Sequence, residues 1–331
     1  MRVLITGASG FIGGVVTDAL AADGHAVTAM VRDHSSAPVF APGVEVVAAD
    51  LLDPQQLAAA GVDRGFDGVC HLAALTRVRE SRMAPLRYFQ ANLTGTVNLL
   101  TALEIGTERS GVAPAFVFGS SCAVYGDVDL TGVPESRPPD PSNPYGASKL
   151  AAERLLSHQA GTGLVGAVIL RSFNVAGAVD GHFDRDDSRI IPAAIAVASG
   201  RRDVFRVNGD GQALREYVHV GDMAAAYQAA LTAATPGRCS VFNVGSGIGV
   251  SIIDVLAAVG RASGRPVRRI HCPPVPEPKA LIGDSRRIRT ELAWGSPRSG
   301  IDQIVSDAWR FGRASGGTGV TPRQRNVPII T

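Results

Sequence analysis

Lysine is almost missing from this chain: Lys149 and Lys279 stand against thirty arginines. Cysteine is sparse too, and Cys70, Cys122, Cys239 and Cys272 are scattered without Cys-x-x-Cys spacing. That argues against zinc, so no metal is expected. It suits a reducing cytoplasm in which each cysteine serves as a small apolar residue. No apolar run is long enough to span a bilayer, and the first residues read as a strand, not a signal peptide. A charge bias is also lacking. The net charge of +2 gives no strong field for nucleic acid or a membrane. No internal repeat is found.

What remains is a globular composition, 45% hydrophobic and 19% charged over 331 residues. That length holds one large α/β domain and a smaller one. Val3-Leu4-Ile5 reads as a buried strand. Thr6-Gly7-Ala8-Ser9-Gly10-Phe11-Ile12-Gly13-Gly14 follows, and then a helical pattern of Val15, Val16, Ala19 and Leu20. Strand, Gly-rich turn and helix make a phosphate-binding start. Gly7 allows the tight turn, Gly10 lets backbone approach a pyrophosphate, and Gly13 lets helix and strand pack closely. The helix N-terminus offers free N–H groups to the anion.

One of the two lysines ends the run Tyr145-Gly146-Ala147-Ser148-Lys149. Residues four apart share a helix face. A nearby ammonium favours tyrosinate, so Lys149 is expected to lower the Tyr145 phenol from its usual value of about 10. Tyr145 is thus a candidate base. An ordinary exposed pair is the alternative for this spacing taken alone.

Strands alternate with helices. Further strands are predicted at 26–31, 44–47, 68–72, 116–118 and 165–170. One long helix is predicted over 85–103, and another carries Tyr145. This implies a Rossmann-type α/β fold, a doubly wound parallel sheet with helices on both faces. Ligands bind beyond the carboxyl ends of such strands, so Gly7, Asp50, Ala73, Ser121 and Ser172 should converge on one cleft. Residues 177–188 read as polar and irregular. Helices are predicted at 190–199, 221–231, 251–262 and 301–311, with a strand at 241–244. We divide the chain into a cofactor domain (1–172 with about 213–237), a smaller C-terminal α/β substrate lobe (173–212 and 238–315) and a flexible tail (316–331).

These residues carry a resemblance. The chain is similar to the extended short-chain dehydrogenases/reductases, and within them to the UDP-galactose 4-epimerase family. The matching blocks run from Thr6–Gly13 through His71-Leu72-Ala73-Ala74, Asn92-Leu93-Thr94-Gly95-Thr96 and Ser120-Ser121-Cys122-Ala123-Val124-Tyr125-Gly126. They continue through Asn143–Lys149, Leu170–Gly177, Arg215–Asp222 and Asn243–Gly247. The resemblance implies NAD held by Gly7, Gly10, Phe11, Ile12 and Gly13, with Asp50 and Leu51 at the adenine. Leu72, Ala73, Ala74 and Phe173 would line the cofactor channel, and Asn92 would support the nicotinamide side. It implies Tyr145 as base, Lys149 on the nicotinamide ribose and Ser121 on the reacting hydroxyl. For the substrate it implies Thr76, Cys122, Asn174, Ile190, Arg215 and Leu281. The implied reaction inverts C4 of a UDP-hexose through a transient 4-keto sugar without net redox change. A homodimer is implied, through the Tyr145 helix and the long helix before it. His71 and His219 read as structural.

Four departures stand out. The second strand ends in Val31-Arg32-Asp33, with no acid at its last position; Arg32 brings NADP into consideration beside NAD. Thr76 replaces a lysine and Ser172 an aromatic residue. Pro273-Pro274-Val275 replaces the arginines that clamp the diphosphate, and Arg189 is a candidate substitute. A 4,6-dehydratase would need an acidic pair where Cys122 and Ala123 stand. An NADPH-dependent carbonyl reductase and a non-catalytic dinucleotide sensor remain as alternatives.

Overall fold

The computed structural model describes residues 1–275 and 278–313. The predicted flexible tail lies outside them. From the N-terminus, β1 (Arg2–Thr6), α1 (Phe11–Ala22), β2 (Ala26–Val31), β3 (Glu45–Ala48), α2 (Pro54–Ala59) and β4 (Gly68–His71) build the first half of a sheet. Next come α3 (Val78–Met83), α4 (Pro85–Phe89), a π-helical turn at Gln90–Thr94, α5 (Gly95–Ser110), β5 (Ala115–Ser121), β6 (Leu130–Val133), α6 (Pro144–Gly161) and β7 (Gly166–Ser172). The remainder is β8 (Asn174–Ala176), β9 (Ala178–Val179), β10 (His182–Phe183), α7 (Ile190–Ala198), β11 (Phe205–Asn208), β12 (Leu214–His219) and α8 (Val220–Ala233). Then follow β13 (Cys239–Val244), β14 (Gly249–Ser251), α9 (Ile252–Ser263), β15 (Arg269–Cys272), β16 (Ala280–Gly283), α10 (Arg286–Glu291) and α11 (Ile301–Gly312).

Seven parallel strands form the main sheet in the order β13-β7-β5-β4-β1-β2-β3. Its strands are apolar on both sides because both faces are covered. Val3, Ile5 and Val117 pack with Val16 of α1 and Met223 and Tyr227 of α8. On the opposite face, Leu4, Phe116 and Phe118 pack with Leu99 and Leu103 of α5 and Leu156 of α6. The strand order reverses between β1 and β4, where a crevice opens at the carboxyl ends.

A second sheet, β14-β12-β16-β6 with β8 against β12, and a parallel pair β11-β15 form the other lobe. Its core lies among α7, α9 and α11. Strand pairing differs from what the predicted division assumed in two places. β13, read as part of the C-terminal lobe, pairs with β7 in the main sheet, with Phe242 opposite Leu170. β12, read as part of the cofactor domain, lies in the second sheet. An apolar run reveals a strand but not its neighbour, because that choice is made by long-range pairing.

The predicted long helix is also interrupted. Asn92 sits in the π-helical turn and is 1% exposed. Its side chain accepts from Leu75 N–H (2.8 Å) and donates to the Leu75 carbonyl (3.0 Å). Such turns recur where a helix is bent to place a functional side chain.

Candidate active site

Gly7 opens the site. Its φ is +71°, and a Cβ there would lie 2.6 Å from Ala73 N. A Cβ on Gly13 would lie 2.1 Å from the Gly7 carbonyl oxygen. Both glycines are therefore required by backbone packing of β1, α1 and the end of β4. Between these packed backbones α1 starts, and its first residues line a cavity.

That cavity, of about 800 Å3, is lined by Ser9, Gly10, Phe11, Ile12, Leu72, Ala74, Thr76, Tyr145, Lys149, Ser172 and Arg189. An adjoining cavity of about 390 Å3 is lined by Arg32, Asp50, Leu51, Ala73 and Ala74. A glycine cradle, a helix start and an apolar slot fit a dinucleotide, with its pyrophosphate at Gly10 and its adenosine between Arg32 and Leu51. Arg32 is exposed at the mouth of that slot. Asp33 turns into its own loop, accepting from Ser35 N–H (2.9 Å) and Ser35 Oγ (2.7 Å). Asp50 is tied locally through Leu52 N–H at 2.9 Å.

α6 carries the candidate base, Tyr145, and Lys149. Asn143 caps it, accepting from Gly146 N–H at 3.0 Å, and Pro144 occupies its first turn. A Cβ on Gly146 would lie 2.4 Å from the Ala123 carbonyl oxygen, so glycine lets α6 press against the turn after β5. Tyr145 thereby comes near Ser121, whose hydroxyl favours the ionised phenol. The ring of Tyr88 stands edge-on to that of Tyr145 at 6.5 Å.

The electrostatics correct one expectation. Burial pushes the Tyr145 phenol up to about 12, and the Ser121 hydrogen bond only partly offsets this. Burial likewise brings Lys149 down to about 7, against the opposing pull of Glu153. Lys149 is 3% exposed, and its Nζ lies 4.3 Å over the Phe118 ring. Both residues lie on α6 as the spacing predicts, but burial is the largest influence on each, and Lys149 is not among the groups that lower the phenol.

The remaining candidates divide. Ser172 Oγ donates to the Ser120 carbonyl at 3.1 Å beside the cavity. Arg189 donates to Asp184 (3.0 Å) and Thr76 (3.4 Å). Cys122 packs with Leu281 in a small apolar cluster, and burial pushes its thiol up to about 12. Arg215 donates to the carbonyls of Leu214 and Pro278, at 2.8 and 2.9 Å. Asn174 donates to the Glu216 carbonyl at 2.8 Å. Phe173 is buried, with its ring where a Cβ on Gly283 would stand. Ile190 begins α7.

His71 and His219 hold structure together. His71 bridges Thr6 Oγ1 (2.6 Å) and Thr96 Oγ1 (2.9 Å), and burial brings it down to about 3. His219 Nδ1 accepts from Gly221 N–H at the start of α8.

The sequence reading missed two things. Asp180 to Arg185 line the larger cavity, in a stretch predicted to be irregular. β9 and β10 form a hairpin there, with Asp180 and Gly181 both at positive φ (44° and 88°). The Asp-Gly pair between Val179 and His182 was the available signal. Glu216, buried in β12, accepts from Gly247 N–H and from Gly283 N–H (2.6 Å). It thereby holds the strand bearing Leu281 beside Arg215. Burial raises its carboxyl to about 7.

A family model described as "NAD dependent epimerase/dehydratase family" matches residues 3–245. The chain is 35% identical to UDP-glucose 4-epimerase of Streptomyces lividans, covering 94% of this chain and 95% of that protein. It is 32% identical to the enzyme of that name from Corynebacterium glutamicum, covering 96% and 97%. Its structure resembles that of UDP-glucose-4-epimerase from Stenotrophomonas maltophila with bound NAD and formylated UDP-arabinopyranose. There the TM-score is 0.85 and the identity 30%, over 95% of this chain and 98% of the other.

Proposed function

The chain belongs to the NAD dependent epimerase/dehydratase family, and from that premise we propose that it interconverts UDP-glucose and UDP-galactose by inverting C4 of the bound sugar. The observation that carries this reading is the sharing of one cavity by the Gly-rich turn and the Tyr145–Lys149 pair. A cofactor cradle and a proton-transferring phenol thus face the same reacting sugar.

NAD is the cofactor, and when bound it supplies a reversible hydride acceptor. Gly7, Gly10 and Gly13 hold it at the pyrophosphate, and Lys149 holds its ribose. Tyr145 removes the proton of the sugar 4-hydroxyl at the phenol oxygen and later returns it. Ser121 hydrogen-bonds that oxygen and orients the exchange. In the cofactor-free chain Tyr145 holds its proton, so the base form is generated only with ligands in place. Arg189 supplies a cation for the diphosphate. The cavity, of about 800 Å3, gives the flat 4-keto sugar room to turn over while its nucleotide stays anchored.

The main sheet serves the cofactor and the second lobe the nucleotide-sugar. Met83, Leu86, Val97 and Ile105 are exposed on α3, α4 and α5. A second copy covering this face makes the protein a homodimer. Among the described residues no helix is long and apolar enough to cross a membrane, and the four cysteines are free. Both support a cytoplasmic location.

The test is conversion of UDP-galactose to UDP-glucose by purified protein without added nucleotide, with NAD identified on release. Stoichiometric consumption of NADPH, with UDP-galactose left untouched, would replace this reading by a reductase.

A further inference from the structure

The β9–β10 hairpin is fastened to the helix that begins at the Gly-rich turn. His182 Nε2 and Asp18 Oδ2 of α1 are 2.8 Å apart. A Cβ on Gly14 would lie 2.4 Å from His182 Nδ1, so the imidazole rests on α1 where a side chain is lacking. The two-residue Asp180-Gly181 turn leaves the hairpin little freedom to shift along the helix. Beyond it, the Arg185 guanidinium lies 4.8 Å over the Phe183 ring, and both residues line the larger cavity with Ser9 and Gly10. Among the described residues Arg185 has no carboxylate partner. Its neighbours Arg77 and Arg189 are paired to Asp186 and Asp184.

An arginine without a carboxylate, stacked on an aromatic ring beside a glycine cradle, is poised for an anion. We infer that the segment from Ala178 to Arg185 is a strap that retains the cofactor, with Arg185 binding the dinucleotide pyrophosphate opposite the Gly-rich turn. The inference rests on the proposed NAD-dependent reading. The cofactor is favoured over the substrate diphosphate because the hairpin is anchored on α1. Arg189, by contrast, acts on Tyr145 and bonds Thr76. An enzyme that returns its hydride every cycle gains from slow cofactor release, and a cation fixed by two anchors supplies that.

The test uses the full chain stripped of nucleotide, with NAD and UDP titrated separately by calorimetry and NAD release followed by rapid displacement. For Arg185→Ala the NAD dissociation constant should rise roughly 10- to 100-fold, the range for a lost charge-assisted hydrogen bond. UDP affinity should be unchanged, and Arg185→Lys should recover part of the loss. His182→Ala, which keeps Arg185 but frees the hairpin, should speed NAD release. Weakened UDP binding with unchanged NAD binding would overturn the strap and move Arg185 to the substrate diphosphate. Unchanged affinity for both would overturn any anion-binding role. Wild-type protein that binds neither ligand would overturn the proposed function and this inference together. Binding by wild type without discrimination by the variants would overturn this inference alone.

Discussion

Asn92 Nδ2 donates to Ser148 Oγ at 2.9 Å, joining residues 56 apart in the chain. Ser148 Oγ in turn donates to the Tyr145 carbonyl at 2.8 Å. The amide that holds the Leu75 backbone therefore also holds the first turn of α6. Replacing Asn92 by leucine leaves the Leu75 N–H and carbonyl without their partner. It should cost about 2–6 kcal/mol, the sum expected for two stranded backbone groups. Urea unfolding of the cofactor-free protein measures this, and an unchanged midpoint would remove Asn92 from the framework.

Tyr145→Phe keeps the ring and removes the proposed proton carrier. Turnover should fall by about 10²–10⁴-fold, while UDP and NAD binding stay near wild type. All five tyrosines are held above the ordinary phenol value by burial. Ultraviolet titration of the folded, cofactor-free protein should therefore show no phenolate below pH 10. If Tyr145 is the base, loading NAD should bring one phenolate into a lower range, and Tyr145→Phe should abolish that signal.

Lys149 gives a pH signature of opposite sense to a stabilising pair. Its folded value, about 7 against an ordinary 10.5, means that the unfolded chain binds the extra proton between those limits. Stability due to this group therefore rises with pH from 7 to 10.5, and its full penalty applies below pH 7. Lys149→Met should raise the melting temperature of the cofactor-free protein at pH 6, and the gain should shrink towards pH 10. Its activity should fall throughout. A gain independent of pH would point to packing over Phe118 as the cause.

Gly13→Ala places a methyl 2.1 Å from the Gly7 carbonyl. The obstacle is backbone, so β1 and α1 must separate. A loss of about 1–3 kcal/mol is expected from overpacking, together with loss of NAD binding. Gly24→Ala is the control for added side-chain bulk, because a Cβ there meets nothing within 4 Å. Its positive φ of 79° still adds local strain, so NAD titration is the readout that separates the two variants.

The exposed apolar side chains of α3 and α4 predict assembly. Leu86 is 78% exposed and Met83 81%, an arrangement that costs solubility unless another surface covers it. Leu86→Arg should shift the sedimentation boundary from dimer to monomer without changing the far-ultraviolet circular dichroism. A wild-type boundary at the monomer position would end the dimer assignment.

Much of the site was legible because its signals are local. The turn from Thr6 to Gly14 announces itself through glycines whose absent Cβ atoms are each needed within a few residues. Tyr145 and Lys149 share a helix face by spacing alone. The Asp180-Gly181 turn was equally local and was passed over because its flanking strands are two residues each, too short to show alternation.

The sequence by itself determined the alternating α/β order, the glycine cradle and the placing of Tyr145 and Lys149 on one helix, since each follows from backbone sterics or helical periodicity over a short span. The tertiary structure alone decided which sheet β12 and β13 join, that Asn92 locks α6 to Leu75, and that Arg185 faces the cavity on a hairpin pinned to α1. It also reversed the expected effect on Tyr145. Whether an ammonium lowers a phenol depends on how far burial penalises both charges, and burial is a property of the packed molecule.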